Sequence, residues 1–292
     1  EFLFAAIKYL IPEFITPNRN FKKLITSDVD QPYNPDINNL RGLLKGFLKY
    51  FIKKDYTDNP LNILKNYFYF KFGTIDNDKD YNNFQWMLDI NNEKQNKLIF
   101  FFLVNKIRNK FDGYYSISEK PIKNLIKRIL EHGHEIGIHF SYDTFKNKQK
   151  FKEEFREFKK EFLFTSKKSR QHYLRWCSIN TPQLLEYTGV KNDFTLGFSD
   201  HIGFRSGTCF EHKLYDLINR KSLEIYETPL IVMDVSLYSE NYMNIGSKNE
   251  IIDLIDQLVK ECKHYKGIFS VLWHNNQLNL KEHRLIFEHL IS

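Results

Sequence analysis

The chain alternates between two hydrophobic patterns. Leu98 to Val104 (Leu-Ile-Phe-Phe-Phe-Leu-Val) is apolar without a break, as expected of a strand buried on both faces in a helix-covered parallel sheet. Ile268 to Trp273 reads the same way and ends at His274. Between such runs the period changes. Lys148 to Phe164 carries Phe151, Phe155, Phe158 and Phe162 at offsets of four, seven and eleven, one apolar stripe of a helix. Ile37 to Lys54 has apolar residues at Leu40, Leu43, Leu44, Phe47, Leu48 and Phe51 and predicts a second helix. Further strands are expected at Lys22–Val29, Glu135–Phe140, His172–Cys177 and Phe194–Phe198, and over Leu223–Val235, broken at Pro229. Further helices are expected at Ile122–Glu131, behind Pro121, and at Thr181–Tyr187 and Ile251–Lys263.

Strand and helix in alternation predict an α/β fold with a parallel sheet, open or closed. In such folds the chemistry sits at the carboxyl ends of the strands. No internal repeat or low-complexity linker divides the 292 residues, so residues 1–292 read as a single domain. A polar, aromatic, Asn-rich stretch at about 55–96 reads as an insert after the first strand.

Composition narrows the function classes. The net charge of +7 is compatible with nucleic acid. The lysines are scattered, however, with no basic stripe interleaved with aromatics, so a solvated surface is the reading preferred and no nucleic-acid partner is expected. Cys177, Cys209 and Cys262 are far apart in sequence and odd in number, with no disulfide framework and no paired-cysteine zinc motif. A reducing, cytoplasmic setting is expected. Glu1 to Phe14 is apolar but includes Lys8 and Glu13. It is too short and too charged to span a bilayer and lacks a signal-peptide pattern.

Several strand ends carry titratable residues. Asp28 and Asp30 close the first strand two residues apart, which puts both carboxylates on one face. One could bind a metal and the other take a proton from water; a turn at Asp30-Gln-Pro-Tyr-Asn-Pro is the plainer alternative. His139 ends the strand Glu135–Phe140 and is the strongest single ligand candidate, with His134 the structural histidine. Asp143 suits a metal ligand or a helix N-cap equally well. Arg170 and His172 share a face; Arg170 could hold a carboxylate ionised and His172 could reach a metal. His274 follows a buried strand and could act as general acid. The polar loop Asp200 to Thr208, with Phe204 and Arg205, could line a groove, and Trp176, Phe204 and Trp273 could stack on a sugar. Cys209 has no neighbouring base in sequence, and no phosphate-binding glycine loop is present.

In order, Thr26-Ser27-Asp28-Val29-Asp30, His139-Phe140-Ser141-Tyr142-Asp143, Arg170-Gln171-His172 and Leu272-Trp273-His274 resemble the motifs of the polysaccharide deacetylase family, carbohydrate esterase family four. The resemblance runs from about Lys22 to His274. It implies a distorted (β/α) barrel with fewer than eight strands, and metal-dependent hydrolysis of an N-acetyl group on a sugar or surface-polysaccharide precursor, with Zn²⁺ the expected ion. By resemblance Asp28 is the general base, Asp30 and His139 are metal ligands, Arg170 orients the base and His274 is the acid. The chain departs from the pattern in reading Asp-Val-Asp for adjacent aspartates. Asp143 stands at the place of a second ligand histidine, and His172 at that of a proline. Either could complete the metal site. The alternative is a catalytically silent relative that binds a glycan or a biosynthetic partner.

Overall fold

The computed structural model describes residues 2–14, 18–34, 40–52, 60–72, 75, 78–104, 111–162 and 166–292. One nine-stranded sheet organises them, in the order β6-β7-β5-β4-β3-β2-β1-β9-β8. The strands are β1 Lys22–Val29, β2 Leu98–Leu103, β3 Glu135–Phe140, β4 Lys168–Gln171, β5 Asn192–Asp193, β6 His212–Asp216, β7 Lys221–Glu227, β8 Val232–Met233 and β9 Ile268–Leu272. Every neighbouring pair is parallel except β6–β7. The helices are α1 Phe2–Leu10, α2 Leu40–Ile52, α3 Pro60–Phe72, α4 Lys79–Glu93, α5 Lys120–Glu131, α6 Lys148–Glu161, α7 Thr181–Thr188, α8 Asp234–Tyr238, α9 Lys248–His264 and α10 Lys281–Ile291.

The strand count corrects the expectation of fewer than eight. The excess comes from β6 and β7, an antiparallel hairpin that extends the sheet beyond β5. The chain between β7 and β8 then curls the sheet back on itself. Thr228 N donates to Asp193 O and Leu230 N to Leu196 O on the β5 side. Ile231 N donates to Ser270 O of β9. The expected break at Pro229 therefore falls where the chain passes from one side of a distorted barrel to the other.

Burial explains the strand sequences. All six residues of β2 are buried. Gly137 in β3 allows close packing, since a Cβ there would lie 2.5 Å from the Phe101 ring and 3.0 Å from Lys168 O. The phenylalanine stripe of α6 is core, with Phe151, Phe155 and Phe158 buried and Phe140 stacked on Phe151 at 3.7 Å.

Several boundaries differ from the reading of the sequence. The strand expected at His172–Cys177 lies earlier, at Lys168–Gln171, so His172 begins the turn after β4. Phe194–Phe198 is irregular, with only Asn192–Asp193 paired. The helix expected over Ile37–Lys54 is present as α2, and residues 37–39 and 53–54 lie outside the described ones. The insert at 55–96 holds α3 and α4, with residues 55–59, 73–74 and 76–77 outside the described ones. The helix expected to reach Phe164 ends at Glu161, and residues 163–164 are likewise outside. No described helix is long and apolar enough to cross a membrane.

Candidate active site

The carboxyl ends of β1, β3, β4 and β9 bring together residues that are far apart in sequence. Asp30 follows β1, His139 lies near the end of β3, and His172 follows β4. Three atoms, one from each, lie within 4.8 Å of one another. His139 Nε2 is 3.4 Å from Asp30 Oδ1, and His172 Nε2 is 3.3 Å from Asp30 Oδ2.

The partners of each imidazole fix its tautomer. His139 Nδ1 lies 3.0 Å from Arg170 O. A carbonyl can only accept, so Nδ1 carries the proton and Nε2 presents its lone pair to Asp30. His172 Nδ1 lies 3.0 Å from Asp112 Oδ1, and the carboxylate orients that ring in the same way. Two imidazole lone pairs facing a carboxylate repel it unless a proton or a cation intervenes. Asp30 Oδ1 and His139 Nε2 are both enclosed, and neither has a hydrogen-bond partner among the described residues. Two imidazoles and a carboxylate fit a divalent metal with coordination positions left for water and substrate.

Without a cation, protons take that place. Burial opposes charge on His172, but the adjacent Asp30 charge and the Asp112 hydrogen bond outweigh it and push its pKa up to about 9. Burial likewise works against an ionised Asp30, but the His172 charge, with the imidazoles of His139 and His274 close by, holds it well below the usual carboxylate range.

Two buried pairs flank the cluster. Arg170 is enclosed in the barrel and donates from Nη1 to Asp28 Oδ1 at 2.8 Å and Thr26 Oγ1 at 2.9 Å, and from Nε to Phe194 O at 2.8 Å. That leaves Asp28 Oδ2 facing the site, 3.4 Å from His139 Nε2. On the other side, His274 Nδ1 meets Asp234 Oδ1 at 2.7 Å while His274 N donates to Asp234 Oδ2 at 2.6 Å. His274 Nε2 then lies 3.5 Å from Asp30 Oδ2. Burial disfavours the imidazolium, but Asp234, with Asp30, raises the His274 pKa well above that of free histidine.

Asp112 and Asp234 escaped the reading of the sequence. Asp112 lies in a loop after β2 with no motif around it. Asp234 starts α8, and its only sequence signal is its place after the buried run Leu230–Met233.

A cavity of about 240 Å³ opens over these groups. Asp28, Asp30, His172 and His274 line its polar side and Leu174, Met233, Val235 and Leu272 its apolar side. Tyr173 and Leu174 take positive φ values of 57° and 50°, a left-handed turn that directs the chain from His172 along the cavity wall.

Several expected residues lie elsewhere. Asp143 is outside the cluster; its carboxylate is half exposed, faces Lys150 at 3.4 Å, and does not cap the short turn that follows. Trp273 is fully buried against Phe287 and Tyr238, because it points to the core side of β9. Trp176 and Phe204 pack against the main core, Arg205 donates to Gly197 O, and Asp200 pairs with His201. None of these five lines the cavity. His134 is structural, accepting from Leu98 N at 3.3 Å.

No family model matches the sequence, and no curated protein matches it with significance. Solved structures do match in shape. A Mycobacterium smegmatis protein assigned as a polysaccharide deacetylase aligns with a TM-score of 0.57 at 16% identity, covering 95% of this chain and 85% of the other. A second such protein, from Pseudomonas aeruginosa PAO1, aligns with a TM-score of 0.52 at 10% identity, covering 94% and 84%. The fold is that of the polysaccharide deacetylases. Within that fold, Asp30, His139 and His172 come together from three strand ends as a group that could hold a metal ion, and His172 rather than Asp143 is the third member.

Proposed function

We propose that this protein is a metal-dependent hydrolase that removes N-acetyl groups from a sugar or a surface-polysaccharide precursor. The observation that carries the reading is the convergence of Asp30, His139 and His172 between the Asp28–Arg170 and His274–Asp234 pairs. Asp30, His139 and His172 would hold the ion, with Zn²⁺ suited to two imidazoles and a carboxylate. A bound divalent ion supplies Lewis acidity and lowers the pKa of water.

The chain's own groups account for the remaining steps. Asp28, held by Arg170 through one oxygen, has the other free to accept a proton from attacking water. His274, kept protonated by Asp234, is placed to give a proton to the departing amine. The apolar wall of Leu174, Met233 and Leu272 suits a small acyl group.

Purified protein should contain about one divalent ion per chain by elemental analysis, in line with the three-ligand set. It should release acetate from N-acetylglucosamine oligomers. Asp28→Asn should retain the metal and lower kcat at least about a hundredfold, as expected for loss of a general base. Full activity in Asp28→Asn, or protein that binds no divalent ion, would refute the assignment.

A further inference from the structure

We propose that the helix pair α2–α3 is a docking surface for an anionic lipid bilayer. The periodicity of α2 predicts a buried stripe, yet only Leu43 of it is buried and much of the rest faces water. Leu44, Leu48 and Phe51 are 57%, 60% and 77% exposed, and on α3 Phe68 and Phe72 are 52% and 74% exposed. The helices pack on each other through their other faces, where Gly42, Leu43, Gly46 and Ile63 are buried. Two adjacent helices thus present leucine and phenylalanine outward, a larger apolar exposure than scattered surface residues create.

Charge decides what covers this face. Every charged residue of α2 and α3 is basic: Arg41, Lys45, Lys49, Lys65 and Lys71. A second copy of the chain would bring two wholly cationic helix pairs together, which like-charge repulsion opposes. Anionic headgroups neutralise Arg41, Lys45, Lys65 and Lys71 while the apolar side chains enter the acyl boundary. Each helix has 13 residues, too few to span a bilayer, so the pair lies on the surface. Phe70 packs edge-on against Tyr33 at 5.0 Å, in the loop that follows Asp30, and Lys120 Nζ reaches Phe72 O at 3.4 Å. These contacts hold the pair at the end of the sheet that carries the cavity, so a docked bilayer would lie at the same end.

Vesicle co-sedimentation tests this. The protein should pellet with phosphatidylcholine vesicles containing roughly one-third phosphatidylglycerol. Partitioning should fall about tenfold or more in pure phosphatidylcholine, and again when salt is raised from about 0.1 M to about 0.5 M. Leu48→Glu/Phe51→Glu/Phe68→Glu, which changes only exposed side chains, should abolish pelleting at an unchanged unfolding temperature. Arg41→Gln/Lys45→Gln/Lys65→Gln should weaken it about tenfold. Asp30→Ala should pellet like the parent, since docking does not depend on the metal site. The proposal falls if the parent does not pellet with phosphatidylglycerol vesicles, or if both triple variants bind like it. It also falls if the chain is a dimer in solution that the glutamate variant dissociates.

Discussion

The proposed ligand set depends on residues outside it. Asp112 orients His172 through its Nδ1, and carboxylate–histidine–metal arrangements of this kind tune affinity. Asp112→Asn should therefore weaken metal binding about 10- to 100-fold, read by competition with a metallochromic chelator. At saturating metal the activity should largely return. Unchanged affinity would remove Asp112 from the site. Asp234 plays the matching part for His274. Asp234→Asn should lower kcat at least about a hundredfold with little change in KM, because the imidazole loses both its orientation and the charge that keeps it protonated. Equal losses in kcat and in substrate affinity would point instead to a collapsed cavity. At this scale the sequence was legible at several titratable strand ends: Asp28, Asp30, His172 and His274 line the cavity, and Arg170 lies behind them, bonded to Asp28. Asp112 and Asp234 were illegible because their roles come from loops folding back onto a histidine, which no local pattern records. Trp273 misled because strand alternation at the end of β9 turns its side chain inward while His274 faces the cavity.

Among the elements, the joint between β3 and α6 carries a titratable bond of its own. Glu154 on α6 accepts from Ser141 N at 2.9 Å and also contacts Ser141 Oγ, just beyond β3. Burial pushes its carboxyl up to about 7, against these two bonds, with the nearby Asp112 charge adding to the rise. The folded chain thus keeps a proton that the unfolded chain releases near pH 4.5. Stability should fall as pH rises from about 4.5 to about 7 and then level off, a loss on the order of 3 kcal/mol from this group. Glu154→Gln should remove that slope and be the more stable form at pH 8, measured by urea unfolding at pH 5 and pH 8. An unchanged slope would contradict the assignment. Core elements read correctly because packing and periodicity agree, as in β2 and α6. The period of α2 was legible too, but periodicity cannot say whether a stripe meets a core. Strand β5, with two residues, leaves no local signal, whereas the two residues of β8 fall within the apolar run expected as strand up to Val235.

Across the whole molecule, the order of motifs along the chain carried more than any one of them. The sheet order places β1 between β2 and β9, and β3 between β2 and β4. Asp30, His139, His172 and His274 therefore converge from both sides of β1. Arg170 ties this arrangement to the barrel interior, bridging β1 and the segment just after β5 through Thr26, Asp28 and Phe194. Arg170→Met should leave the Asp28 carboxylate buried without its partner and lower stability by roughly 3–5 kcal/mol in urea unfolding. A loss below about 1 kcal/mol, the range of an exposed pair, would show that the bridge is not a structural element. The strand count exceeded expectation because the β6–β7 hairpin joins the sheet at β5, beyond the strands that build the site. The most direct measurement is acetate release from N-acetylglucosamine oligomers by chelator-treated protein, before and after Zn²⁺ is restored, with Asp30→Ala alongside. The expected result is loss on chelation, recovery with Zn²⁺ and no activity in Asp30→Ala; equal rates in all three would contradict a metal-dependent deacetylase.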